Sequence, residues 1–143
     1  MNAIRLVEFK LGKNSNFTSI IQFQALNDTG YLNISAKFED AHQYGNSYQD
    51  REVIVVFKNV EKNLLVPRQL LTVVDEDVYF EINQSDLLNN SFPAGTYQIE
   101  HVFVKNKFQE KRQFSREELS YLFPNKLLTF EVLDNQVDNI PPD

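Results

Sequence analysis

Residues Ser91–Val104 read SFPAGTYQIEHVFV. Pro93 and Gly95, with one residue between them, carry turn chemistry: proline presets φ, and glycine admits backbone conformations that other residues avoid. Tyr97 follows, and then apolar residues alternate with polar ones, the period of a β-strand. Tyr97, Ile99 and Phe103 fall on one side of that strand, Val102 and Val104 on the other. On this reading Ile99 and Phe103 continue the face of Tyr97 into the core, and His101 is a packing residue between them. The stretch is then a turn entering a central strand, and binding residues are to be sought in loops and at edges.

Working outward, the same period recurs. Val7, Phe9 and Leu11 alternate with Glu8 and Lys10, and Ile21, Phe23 and Ala25 alternate with Gln22 and Gln24. Leu32, Ile34, Ala36 and Phe38 place four apolar groups on one face. The turn residues Asn27-Asp28-Thr29-Gly30 join the second and third runs as an expected hairpin. Residues 39–50 form a polar loop, and Val53–Phe57 is a short β-branched run of the kind covered on both sides. Further strands are expected around Leu70–Val74, at Val78–Ile82 and over Leu128–Val132, with one helical turn at Ser85–Asn90. One segment changes period. Ser115 and Glu118 have capping-box spacing, and Leu119, Leu122 and Phe123 make a helical stripe that Pro124 ends.

About eight short strands with little helix predict an all-β fold. The first choice is an immunoglobulin-like antiparallel β-sandwich with one short helix in a connection near 115–123; a jelly roll is the alternative. Tyr97 then corresponds to the tyrosine that opens a central strand in immunoglobulin-like sandwiches. Residues 1–135 form a single domain, and 136–143, QVDNIPPD, begin a linker or tail. A chain of 143 residues is long enough for one domain with a real core. Twelve Phe and six Tyr make it too aromatic for disorder.

Charge and composition narrow the function classes. The net charge of −6 disfavours a phosphate backbone as partner. The basic residues Lys105, Lys107, Lys111 and Arg112 are diluted by Glu110 and read as a solvated mixed face. With no cysteine there is neither a disulfide nor a thiolate metal site. The opening MNAIRLVEFKLGKN lacks the apolar core of a signal peptide, and no run is long enough for a membrane span. A soluble product made in a cytoplasm is expected, with neither nucleic acid nor membrane as partner.

No catalytic signature is visible. The two histidines, His42 and His101, belong to no triad motif, and the four glycines are too scattered for a phosphate loop. The acidic turn Asp75-Glu76-Asp77, with Glu81 behind it, lacks the ligand spacing of a calcium loop. No catalytic residue, metal ligand or cofactor is assigned, and Pro93, Gly95 and Tyr97 are structural. The candidate partner-binding residues are His42, Tyr44 and Tyr48, because tyrosine joins an apolar face to a hydroxyl.

The order of features resembles the N-terminal domain of the phage baseplate upper protein family of Gram-positive siphophage tails. The resemblance lies in SIIQFQALND (19–28) leading into TGYLNISAKF (29–38), DVYFEINQSDLL (77–88) followed by PAGTYQIEHVF (93–103), and the closing LLTFEVLDN (127–135). It implies a non-enzymatic virion structural module of the tail baseplate. Such a module docks on a tail hub, helps carry receptor-binding proteins, and can gather into homo-oligomers through a linker beginning at QVDNIPPD. Two other readings fit a sandwich: a carbohydrate-binding module using Tyr44 and Tyr48 or the concave sheet face, though the chain lacks Trp, and a small phage-encoded inhibitor of a host protein.

Overall fold

A computed structural model describes residues 4–18, 21–24, 30–40, 52–72, 78–82, 92–106, 108–124 and 129–133. They form nine strands and one helix: β1 (Ile4–Lys13), β2 (Gln22–Gln24), β3 (Leu32–Asp40), β4 (Glu52–Asn59), β5 (Leu64–Thr72), β6 (Val78–Ile82), β7 (Gly95–Lys105), β8 (Lys111–Ser115), α1 (Arg116–Leu122) and β9 (Thr129–Leu133). The fold is all-β. β1, β3, β6 and the end of β5 make one sheet; β5, β4, β7, β9 and β2 make the other, with β8 beside β7. β5 belongs to both, pairing with β4 from Leu64 to Leu70 and with β6 at Leu71 and Thr72. This strand order is that of an immunoglobulin-like sandwich.

The core follows from alternation. Leu32, Ile34, Ala36 and Phe38 are all buried, as their period requires. They face Val53, Val55 and Phe57 of β4 and Val102 and Val104 of β7, which are also buried. At one end five rings gather: Phe23, Phe57, Phe92, Tyr97 and Phe130. Phe130 stacks on Tyr97 with centroids 5.0 Å apart and planes within 6°.

Two bulges change the inward phase, and they account for two departures from the expected faces. In β1 the register slips between Leu6 and Glu8, so Ile4 and Leu6 point inward before Val7, and Phe9 and Leu11 after it. Val7 itself is half-exposed. In β7 the partners of Val56 and Phe57 are His101 and Ile99, leaving Glu100 as the extra residue. Tyr97 and Ile99 are buried before the bulge, Val102 and Val104 after it. Phe103 and His101 therefore lie on the outer face, not in the core.

Four other expectations are corrected. β2 does not pair with β3: it runs parallel to β9 in the opposite sheet, whereas β3 lies between β1 and β6. The sandwich is thus antiparallel except at this pair. β5 starts at Leu64, six residues before the expected strand, because the turn after Asn59 returns the chain at once. β3 runs on to Asp40, into the expected loop. Lys111–Ser115, too polar to read as a strand, pairs with β7 from His101 to Lys105. β8 and β9 thus share one side of β7, and the closing strand is split, with α1 inserted at the break. The helical turn expected at Ser85–Asn90 lies outside the described residues.

The turn into β7 has the chemistry its sequence promised. The Tyr97 hydroxyl donates to the Pro93 carbonyl at 2.5 Å, the tyrosine-corner arrangement of immunoglobulin-like sandwiches. The side chain of Asn59, itself fully buried, donates to the same carbonyl at 3.3 Å and to that of Ala94 at 3.2 Å. Its Oδ1 accepts the Lys62 N–H at 3.0 Å. Gly95 has φ +144°, and a Cβ there would stand 2.7 Å from Asn59 Nδ2. Glycine is required on both counts.

Tyr97→Phe removes one buried hydrogen bond and is expected to lower stability by about 0.5–1.5 kcal/mol in urea unfolding. Burial, the largest influence, holds the Tyr97 pKa above its ordinary 10.0. The native state therefore keeps this proton while the unfolded chain loses it, so the stabilisation is full below about pH 10 and falls above it. The gap between wild type and Tyr97→Phe should narrow as the pH rises past that point. Gly95→Ala should cost more than Tyr97→Phe in the same assay.

Candidate functional site

His42, Tyr44 and Tyr48, the candidate partner-binding residues, lie outside the described residues, as do the turn Asp75-Glu76-Asp77 and the tail 134–143. Pro93, Gly95 and Tyr97 come together at the corner just described. His101 is half-exposed on the outer face of β7, opposite Val56 on β4 and Ser115 on β8. Among the described residues no three His, Cys, Asp or Glu side chains are grouped to hold a metal ion. No helix among them is long and apolar enough to cross a membrane.

An open groove of about 210 Å³ runs between β2, β7 and β9, lined by Ile21, Gln22, Thr96, Thr129, Phe130 and Glu131. Small-molecule sites commonly enclose ~300–1,000 Å³. This groove is smaller, and the Gln22 amide already donates across it to Glu131 at 3.0 Å.

The more distinctive feature is α1. Ser115 caps it, its hydroxyl accepting the Glu118 N–H at 3.1 Å. The Glu118 carboxylate takes two N–H groups of Arg112, at 3.2 and 2.5 Å. The Arg112 guanidinium in turn lies 4.1 Å over the Phe114 ring. On the inner side Leu119 is fully buried, and the Phe123 ring stands 6.4 Å from that of Phe9 on β1. The Phe123 N–H closes the last turn on the Leu119 carbonyl at 2.9 Å.

So anchored, the helix exposes large apolar groups. Tyr121 is 84% exposed and Leu122 42%. The expected stripe therefore holds for Leu119 and Phe123 and fails for Leu122, which faces solvent. Tyr121 was legible only as an aromatic residue off that stripe, on the polar side of the helix. A second exposed group, Val60, Leu64 and Leu65, lies at the β4–β5 hairpin. Beside it the Glu61 carboxylate accepts the Thr96 N–H at 2.8 Å, the chief reason its pKa lies below the ordinary carboxylate value.

If the helix is held from inside, its two aspects respond differently to truncation. Leu119→Ala should destabilise the fold by about 2–5 kcal/mol in thermal or urea unfolding. Tyr121→Ala should change stability by no more than about 0.5 kcal/mol. Against known proteins, the chain matches no protein-family model, no curated protein and no solved structure.

Proposed function

We propose that this chain is a non-enzymatic protein-interaction module that presents α1 to a partner. The observation that carries the reading is Tyr121, a large aromatic side chain 84% exposed on a helix pinned to the core by Leu119. An exposed tyrosine on a rigid support buries much area at little entropic cost when a partner covers it. Leu122 adds apolar area beside it, and the Arg112–Glu118 pair holds the helix at a fixed angle to β8. On the resemblance given above, the setting is a phage tail baseplate. There the module docks on a tail hub and helps carry receptor-binding proteins.

The test is size-exclusion chromatography with light scattering on the full chain, alone and mixed with the tail-hub protein of the same phage genome. A stoichiometric complex is expected, weakened at least tenfold by Tyr121→Ser with the melting curve unchanged. A chain that elutes the same with and without the hub protein would count decisively against this assignment.

A further inference from the structure

The outer face of the second sheet does not follow the rule that an exposed sheet face is polar. Cross-strand register places its residues in rows. The first row holds Glu52, Lys105 and Lys111; the second Gln69, Ile54, Phe103 and Gln113; the third Pro67, Val56, His101 and Ser115. Glu100 follows at the bulge, then Leu65, Lys58, Gln98 and Thr129, and at the far end Thr96 and Glu131. The second and third rows are apolar or uncharged, centred on Ile54, Val56, Phe103 and Pro67, and charge stands in the first row and again from Glu100 onward. Pro67 is exposed and Ile54 and Phe103 are half-buried, so they supply the accessible apolar area, while Val56 is already only 9% exposed in the single chain. Interfaces have this anatomy, an apolar centre within a polar rim.

We propose that this face pairs with the same face of a second copy of the chain. Charge selects that occupant. The chain carries a net charge of −6, so two copies repel over most of their surfaces. On this face three carboxylates, Glu52, Glu100 and Glu131, meet three ammonium groups, Lys58, Lys105 and Lys111, and the sum is zero. They are also distributed unevenly. The end with Glu52, Lys105 and Lys111 sums to +1, and the half with Lys58, Glu100 and Glu131 sums to −1.

A two-fold axis lying in the plane of the face and crossing the strands lays the positive end of one copy on the negative half of the other. An axis along the strands would set like on like. Charge complementarity therefore fixes the orientation as antiparallel, with the row of Val56 and His101 at the axis. Four strands at ~4.8 Å spacing and eight residues at ~3.3 Å give roughly 500 Å² on each copy. The total of ~1,000 Å² is where specific interfaces begin, so the dimer is a reversible one. The pairing does not depend on which partner Tyr121 meets.

Sedimentation equilibrium on the full chain, from micromolar to submillimolar concentration, tests the pairing. Wild type should pass from monomer to dimer, and Phe103→Glu should raise the dissociation constant at least tenfold. Ile54→Lys keeps the assay decisive if Phe103→Glu unfolds. Because the chain has no cysteine, His101→Cys should also form a disulfide-linked dimer on mild oxidation, whereas Lys10→Cys on β1 should not. A wild type that stays monomeric throughout, a dimer unaffected by either face substitution, or equal cross-linking at both cysteines would each overturn the proposal.

Discussion

The hydrogen bond from the Tyr97 hydroxyl to the Pro93 carbonyl is the constraint on which the closed end of the sandwich depends. It ties the start of β7 to the segment that leads into it. Asn59 reaches the same carbonyl from the end of β4, so the bond also fixes the β4–β5 turn against β7. Around that point the five rings of the end cluster pack, with Phe130 of β9 stacked on Tyr97 itself. One buried polar node thus sets the positions of three strands. Its groups have little freedom to rearrange, since each buried donor left unpaired costs about 1–3 kcal/mol.

Much of this was legible in the sequence, and the reasons are local. Pro93, Gly95 and Tyr97 announced a turn and a strand entry because φ preferences act within a few residues. The alternation of β3 announced its buried face, and the spacing of Ser115, Glu118 and Leu119 announced α1 with its inner contact. What escaped reading was non-local. A bulge such as that at Glu100 shifts the phase of every residue after it and leaves no mark in composition. Phe103 consequently looked like core and proved to lie outside, while Val102 and Val104 took the inner positions.

The pairing of β2 escaped for a related reason. Neighbouring runs joined by turn residues form hairpins so often that Asn27–Gly30 pointed to β3, yet β2 belongs with β9, more than a hundred residues later. β8 escaped because a strand at the side of a sheet needs only one inward group. Phe114 supplies it, and the rest of KRQFS can be polar. Aromatics crowding a polar loop point to His42, Tyr44 and Tyr48 as binding residues. Tyr121 stands alone on a helix, and its exposure comes from how Leu119 and Phe123 orient that helix, which spacing by itself does not convey.

The parallel pairing of β2 with β9 has a consequence for how the molecule comes into being. β9 supplies the partner of β2 and a partner of β7, so the chain cannot complete its second sheet until β9 is made. During synthesis the early strands wait with open edges and with Phe23 uncovered by Phe130. Contacts that span so much of the chain slow folding, because loop closure must precede their reward. Closure of the second sheet is therefore a late event, in which β9 joins strands laid down earlier in the chain, β2 more than a hundred residues before it.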